Sequence, residues 1–468
     1  MGECCVGKEK YSYLAVIDEK AKMLDDCGDY LWENAETAFE EFKSAAYLIK
    51  VLREEGFEVQ ENLAGIPTAF SGRFGKGKPV IGILGEFDAL SGLQQEAEVF
   101  EKKPIPGKTC GQGCGHNLYG EGALGAAIGV KNYLETSGAE GTVIFFGTPA
   151  EEGGSGKSFM ARDGVFDELD AAVTWHPSAG TSVKTNLSLA NYQIVYRFEG
   201  IPSHAGGKPE AGRSALDALE LMNVGVQFLR EHMTDHCRVH YAITDTGGYS
   251  PNVVQGHAEA IYLIRAPKNQ EVKELYERVN KIAAGAALMT ETTESHEFIK
   301  ACSNSVINNV LCNVMQTCMD EIAPPVPDEE DLAFAKTMAE TGLKGIAGVD
   351  PENPIHYEAV PLQPTQQQHG STDVGDVSWV CPTVQINAAT WAAGTPAHSW
   401  QAVSQGKRPW AHKMTRYAAK VMAATAVEIM RRPDVLEDAK KEHLENVGPD
   451  GYEAPIPKDV RPKAISKI

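Results

Sequence analysis

Four consecutive large apolar residues, Val143-Ile144-Phe145-Phe146, constrain this chain more than any other feature. Neighbouring side chains on a strand point to opposite faces, so such a run must be covered on both sides. Pro79-Val80-Ile81-Gly82-Ile83-Leu84-Gly85 and Ala171-Ala172-Val173-Thr174 repeat the pattern, with helical stretches between them. Strands of this kind separated by helices predict an α/β fold: a mixed sheet with helices on both faces. In open α/β sheets, chemistry gathers where strands end and loops begin. The run is followed there by Thr148-Pro149-Ala150-Glu151-Glu152-Gly153-Gly154. An isolated Glu-Glu pair is most often just a solvated loop. What changes its meaning is that Cys and His recur at other predicted strand ends.

The chain has 468 residues, too many for one ordinary core, so two domains are expected. A net charge of -21 with no dense Lys/Arg stripe argues against nucleic acid. No apolar run is long enough to span a membrane, and Met1-Gly2-Glu3-Cys4-Cys5 lacks the regions of a signal peptide. Val6 stands where an N-myristoylation motif wants Ser or Thr, so acylation at that end is not expected. Ten cysteines in so long a chain read as reduced thiols of a cytoplasmic protein, some of them metal ligands.

In chain order, residues 11–56 read as two helices, followed by the strand at 79–85, which delivers Glu86-Phe87-Asp88. Cys110-Gly111-Gln112-Gly113-Cys114-Gly115-His116-Asn117 precedes a small-residue helix from about Leu118 to Leu134. The strand at 171–174 ends in Trp175-His176-Pro177. From residue 188 to 303 the order becomes β-α-β-β-α-β, the split ferredoxin-like unit. A different pattern resumes afterwards, so this α+β unit is read as an insertion between residues 1–187 and 304–468 of one larger domain. Residues 324–330 read as a loop, Leu332–Ile346 as a helix, and residues after about 434 as a charged surface tail. Gly394-Thr395-Pro396-Ala397-His398 forms a tight turn presenting His398.

Cys114, His116, Glu152, His176 and His398 make a mixed set of soft and borderline donors. Thiolate and imidazole suit zinc; carboxylate and imidazole also suit manganese. Five ligands exceed one tetrahedral site, so two divalent ions are the economical reading. Two metals can activate water and polarise a carbonyl. Glu151, beside the ligand Glu152, is then free to move protons as general base and acid. Asp88 is expected to orient a ligand imidazole. Glu86 is left open between a metal contact and a structural role. Cys110 with Cys114 is not a Cys-x-x-Cys pair, so redox chemistry is a weak alternative.

Gly85-Glu86-Phe87-Asp88-Ala89-Leu90, Cys114-Gly115-His116-Asn117, Pro149-Ala150-Glu151-Glu152 and Trp175-His176-Pro177 together resemble the metallopeptidases that include carboxypeptidase G, aminoacylase and the amino-acid amidohydrolases. The Cys-Gly-His form is similar to the amidohydrolase branch, where Cys is a metal ligand. Glu86 stands where many relatives carry a metal-binding His. The resemblance extends over nearly the whole chain, with Gly153–Lys157, Pro251–Gln255, Ser371–Trp379 and Gly394–Pro396 as further matching stretches. It implies a metal-dependent amidohydrolase in which the insertion is a lid and dimerisation domain. By that match His204 reaches the partner's site, and His204, Asn252 and Arg265 contact substrate. Arg265 suits a substrate carboxylate, and His204 and Asn252 suit a developing oxyanion. The implied substrate is an N-acyl or N-aroyl amino acid, p-aminobenzoyl-glutamate first among them. The alternatives are a dipeptidase, a general aminoacylase, or a non-catalytic partner that lends its lid to another chain. A homodimer and a heterodimer with a related chain are both open.

Overall fold

The computed structural model describes residues 10–464; the Met1–Cys5 stretch considered above for acylation lies outside them. Strands run in chain order as β1 (Glu58–Glu61), β2 (Phe70–Lys76), β3 (Val80–Gly85), the short pair β4 (Leu90–Ser91) and β5 (Cys110–Gly111), β6 (Gly141–Gly147), β7 (Ala171–Ser178) and β8 (Gly180–Val183). The inserted unit holds β9 (Ala190–Glu199), β10 (Arg238–Asp245), β11 (His257–Ala266) and β12 (Thr293–Cys302); β13 (His356–Ala359) and β14 (Thr383–Ala389) follow.

The large sheet has the order β1-β2-β6-β3-β7-β14-β8-β13. Its centre, β6-β3-β7-β14, is parallel, while β2 runs antiparallel to β6 and β8 antiparallel to β14. This is the mixed sheet expected. The runs behave as their composition requires: every residue of β3 and β6 is buried. Ile81, Ile83, Val143 and Phe145 face one core together with the His116–Ser137 and Pro409–Arg431 helices. Leu84, Ile144 and Phe146 face the other, with the Gly156–Arg162 and Val374–Val380 helices. Small residues bring the His116–Ser137 helix close to the sheet. A Cβ added at Gly122 would lie 2.7 Å from the Trp175 indole. Because the central strands are parallel, their carboxyl ends open on one edge of the sheet, which gathers the loops that carry the candidate donors.

The second sheet is wholly antiparallel, in the order β10-β11-β9-β12, with the Ala215–Leu229 and Asn269–Thr290 helices packed on it. That is the ferredoxin-like arrangement predicted from the element order. Both chain crossings into this unit are held by one stretch of the larger body. Leu187 N–H donates to Gln366 O (2.9 Å) and Leu189 N–H to Gly370 O (2.8 Å). On the return crossing, Ser303 donates to Asp376 through its N–H (2.9 Å) and its hydroxyl (2.8 Å), and the Trp379 indole N–H donates to Asn304 O (2.7 Å).

Several expectations need correction. The residues after 434 are not a surface tail. Pro433–Val447 is a helix that buries Val435, Ala439 and His443, a one-sided stripe masked by its many charges. Beyond it the chain reaches the inserted unit, where Lys463 pairs with Glu297 (3.2 Å) and Lys273 with Glu453 (3.1 Å). The helix expected at 332–346 is Glu329–Glu340, begun early by a capping box between Asp328 and Asp331. β7 continues past Thr174 through His176 to Ser178, because β14 pairs with it over that length. The small-residue helix starts at His116, not Leu118.

A buried ion cluster ties three helices of this body together. His412 Nδ1 donates to Glu121 Oε2 at 2.8 Å, and Nε2 lies 3.4 Å from Asp29 Oδ1. Asp25 joins through Arg416. Burial alone would lower His412, but Glu121, Asp29 and Asp25 together raise it to about 10. A raised imidazole stabilises fully below its ordinary pKa near 6.5, and the contribution is lost as pH climbs through about 10. The melting temperature of the wild type, less that of His412→Gln, is therefore expected to shrink between pH 7 and 10.5. A difference that stays constant over that range contradicts the assignment.

Candidate metal centre

The predicted donors converge at the carboxyl edge of the sheet. Gly115 takes φ +73° and an added Cβ there would meet Pro177 at 2.9 Å, so glycine sets the turn that separates Cys114 from His116. Cys114 Sγ lies 3.5 Å from His176 Nε2. His176 Nδ1 donates to Pro177 O at 2.7 Å, which leaves the Nε2 lone pair facing the thiol. His116 Nδ1 donates to Asp88 Oδ1 at 3.0 Å. The other Asp88 oxygen accepts from Glu152 N–H at 2.9 Å. Asp88 thus holds a ring and a loop at once, the orienting place expected for it. His398 Nε2 is 3.2 Å and His116 Nε2 3.9 Å from Glu152 Oε1.

Three overlapping groups, Cys114–His116–His176, Cys114–Glu152–His398 and Glu86–His116–Glu151, each keep their candidate ligand atoms within 4.8 Å of one another. All five predicted ligands and Glu151 therefore share one centre. Two donors about 2.0–2.3 Å from a common ion lie roughly 3.0–3.6 Å apart, which the Cys114–His176 and His398–Glu152 separations match. Among the described residues, Glu86 Oε2, His116 Nε2 and Glu152 Oε1 are buried and make no hydrogen bond of good geometry. Orphaned lone pairs of this kind fit a divalent cation. Burial alone would raise Glu152, but His398 and His116 hold its carboxyl down to about 2. Burial, then Glu86 and Glu152, push the half-buried Glu151 carboxyl well above the ordinary range. Glu151 itself has no side-chain hydrogen bond among the described residues.

Three residues that matter to this geometry, Glu41, Lys157 and Asp373, were missed as site residues. Glu41 is fully buried and accepts from the N–H groups of Phe39 and Ala150 (both 2.9 Å) and from the Thr68 hydroxyl (2.9 Å). Phe39 and Ala150 both carry positive φ, +63° each, a conformation that costs a non-glycine residue about 1 kcal/mol or more. Glu41 therefore clamps the strained residue that aims Glu151 and Glu152. Lys157, also fully buried, bridges Glu86 Oε1 and Asp373 Oδ1, each at 2.7 Å. In the sequence Glu41 sits among Glu36 and Glu40 and looks like a surface acid, and Lys157 looks like an exposed helix residue. Nothing local marks either; Lys157 is marked only by its ion partners Glu86 and Asp373, and Glu41 only by the donors Phe39, Thr68 and Ala150.

None of the three predicted substrate contacts is hydrogen-bonded to these donors among the described residues. His204 and Asn252 lie side by side on the exposed face of the inserted unit, where Ala205 N–H donates to Asn252 O (2.9 Å). The His204 ring accepts from Gly207 N–H at 3.0 Å. Arg265, half-buried near the end of β11, donates to Ser371 Oγ at 2.8 Å across the seam between the two bodies.

Comparison with known proteins agrees with this geometry. A peptidase dimerisation domain matches residues 186–290. One subunit of the p-aminobenzoyl-glutamate hydrolase of Escherichia coli is 46% identical over 96% of this chain and 98% of its own length. A mouse (Mus musculus) Xaa-Arg dipeptidase is 29% identical over 91% of this chain and 90% of its own. Among solved structures, a dinuclear metal-binding peptidase of the M20 family from Bacillus subtilis shares the fold, with a TM-score of 0.55 at 18% identity, covering 88% of this chain and 99% of its own. No helix among the described residues is long and apolar enough to cross a membrane. The extent of the 46% likeness, the dimerisation unit and the convergent donor set lead to one conclusion: this chain belongs to the M20 family and is a metal-dependent amidohydrolase.

Proposed function

We propose that the substrate is an N-acyl or N-aroyl amino acid, with p-aminobenzoyl-glutamate first, cleaved to p-aminobenzoate and glutamate. The observation that carries this reading is a carboxylate, Glu151, without a side-chain hydrogen bond among the described residues and within 4.8 Å of His116 and Glu86 in a centre of metal-capable donors. Cys114, His116, Glu152, His176 and His398 would hold two divalent ions, Zn2+ or Mn2+. When bound, these supply the Lewis-acid charge that acidifies water and polarises an amide carbonyl. Glu151 takes the proton from the attacking water. As the C–N bond breaks, it returns that proton to the departing amino group, so one carboxylate serves both steps. Asp88 keeps His116 in the tautomer whose Nε2 faces the centre.

His204 and Asn252 are read as donors to the oxyanion in a partner's site. Arg265 is read as the anchor of a substrate carboxylate, with Ser371 as its resting partner. A homodimer satisfies this, with residues 188–303 as the lid. The Escherichia coli relative is one of two different subunits named for its hydrolase, so a heterodimer is the second arrangement. A mixture of Glu151→Gln and His204→Ala chains, each inactive alone, is expected to regain activity by forming hybrid dimers. A mixture as inactive as its parts means that His204 does not work in trans. The compartment proposed is the cytoplasm, supported by the thiol donor Cys114 and by the free state of all eight cysteines among the described residues.

The test is metal analysis with a substrate panel on the purified chain. About two equivalents of metal and fastest turnover of p-aminobenzoyl-glutamate support the proposal. Faster turnover of dipeptides than of any acyl-amino acid moves the chain to the dipeptidase reading, which the likeness to a Xaa-Arg dipeptidase makes the second choice. A chain inert until a second polypeptide is added supports the reading as a non-catalytic partner.

A further inference from the structure

We propose that Glu86 is a further metal donor, acting through Oε2; the inference rests on the metal-centre reading above. Glu86 follows directly on β3, is 1% exposed and cannot swing to solvent. Its two oxygens have different surroundings. Oε1 is committed to Lys157 Nζ at 2.7 Å. Oε2 is buried, has no hydrogen-bond partner among the described residues, and points at His116 Nε2 from 3.1 Å. In the neutral His116 ring whose Nδ1 proton is donated to Asp88, Nε2 carries a lone pair. An oxygen lone pair and a nitrogen lone pair 3.1 Å apart repel unless a cation lies between them or beside both. That cation is a proton in the metal-free chain and a divalent ion in the loaded one. The 3.1 Å separation is what two donors to one ion, each about 2.0–2.2 Å from it, would show.

The charge around Glu86 supports the same role. Lys157 is shared between Glu86 and Asp373, so one buried cation faces two buried carboxylates. With both carboxylates ionised, the trio keeps a net negative charge among side chains at most 1% exposed. A carboxylate so fixed attracts a cation from one direction only, the side of His116. The lysine also prevents Glu86 from chelating with both oxygens, so a single oxygen is offered. The centre would then have six protein donors, with Glu151 still free.

The experiment strips the full-length chain of metal and titrates it with Co2+ and with Zn2+, in the wild type, Glu86→Gln and Glu86→Ala. Near-ultraviolet circular dichroism of each metal-free protein checks the fold, and the shape-conserving Gln variant covers the case where Ala disturbs packing. Losing a partner outside the coordination sphere weakens binding about 10- to 100-fold, so affinity alone does not separate the roles. The deciding readout is the visible spectrum of the Co2+-saturated protein. The proposal predicts that one of two equivalents binds about 100-fold or more weaker in Glu86→Ala and that the cobalt bands shift in position and intensity. Glu86→Gln, which keeps a carbonyl oxygen, is expected to fall between. A saturated Glu86→Ala spectrum superimposable on the wild type overturns the proposal, whatever the affinity, and leaves the five-donor centre standing. A wild-type chain that binds no cobalt overturns both.

Discussion

Glu151→Gln is expected to lower kcat by about three orders of magnitude while leaving the metal content unchanged, since general acid–base catalysis contributes roughly 10²–10⁴. The amide keeps the size of the carboxylate and cannot accept the water's proton. The geometry explains why no neighbour substitutes. Asp88 is engaged by His116 and by Glu152 N–H, Glu86 by Lys157, and Glu152 faces His398. Glu151 is the one carboxylate of the group without a side-chain hydrogen bond or ion pair among the described residues. Its aim depends on Ala150, whose positive φ is held by Glu41. The measurements are steady-state rates on the preferred acyl-amino acid and metal analysis of the same sample. A variant within tenfold of the wild-type rate removes Glu151 from the chemistry. A variant that is slow because it has lost its metal makes Glu151 a ligand instead.

Lys157→Met is expected to cost about 3–5 kcal/mol of stability, the usual range when one partner of a buried ion pair is removed and a charge is left uncompensated. Methionine fits the space of the lysine stem but offers nothing to Glu86 or Asp373, each 2.7 Å from Nζ. Two carboxylates would then face one another in the interior, and one would have to take up a proton. Asp373 would keep only the Lys157 backbone N–H, now at 2.8 Å. Urea unfolding of metal-free protein, compared at pH 5 and pH 8, measures the effect. The loss should be larger at pH 8, where protonating a carboxylate is harder. A loss under about 1 kcal/mol, the scale of an exposed pair, would mean that the trio is solvated.

Much of this molecule could be read before any coordinates because burial leaves a pattern in sequence. β3, β6 and β7 declared themselves as apolar runs, and the inserted unit declared itself through element order. The donors were legible because Cys and His are uncommon and recur at strand ends. The losses have equally physical causes. β2 holds Ser71, two glycines and a polar, exposed end, so it carries no apolar run, and pairing with β6 fixes it. Val374–Val380 contains Gly375 and Asp376, poor helix formers, and is held by packing and by bonds from Ser158 and Ser303 to Asp376. Pro433–Val447 is too polar to be recognised without the surface it lies on. Glu41, Lys157 and Asp373 are charged residues in the core, which composition always assigns to the outside. Ala150 lies 109 positions from Glu41 and Asp373 216 from Lys157, beyond the reach of any local spacing rule.

Residues 366–379 receive both crossings to the inserted unit, hold Arg265 through Ser371, and supply Asp373 to Lys157. Both crossings thus share a single jamb rather than two independent hinges. A protease cut or a flexible insert placed between Gln368 and Ser371 would loosen both leaves together and slacken the grip on the buried lysine. The same sample would then show a looser inserted unit and a disturbed charge at the carboxyl edge of the sheet, two faults with one mechanical origin.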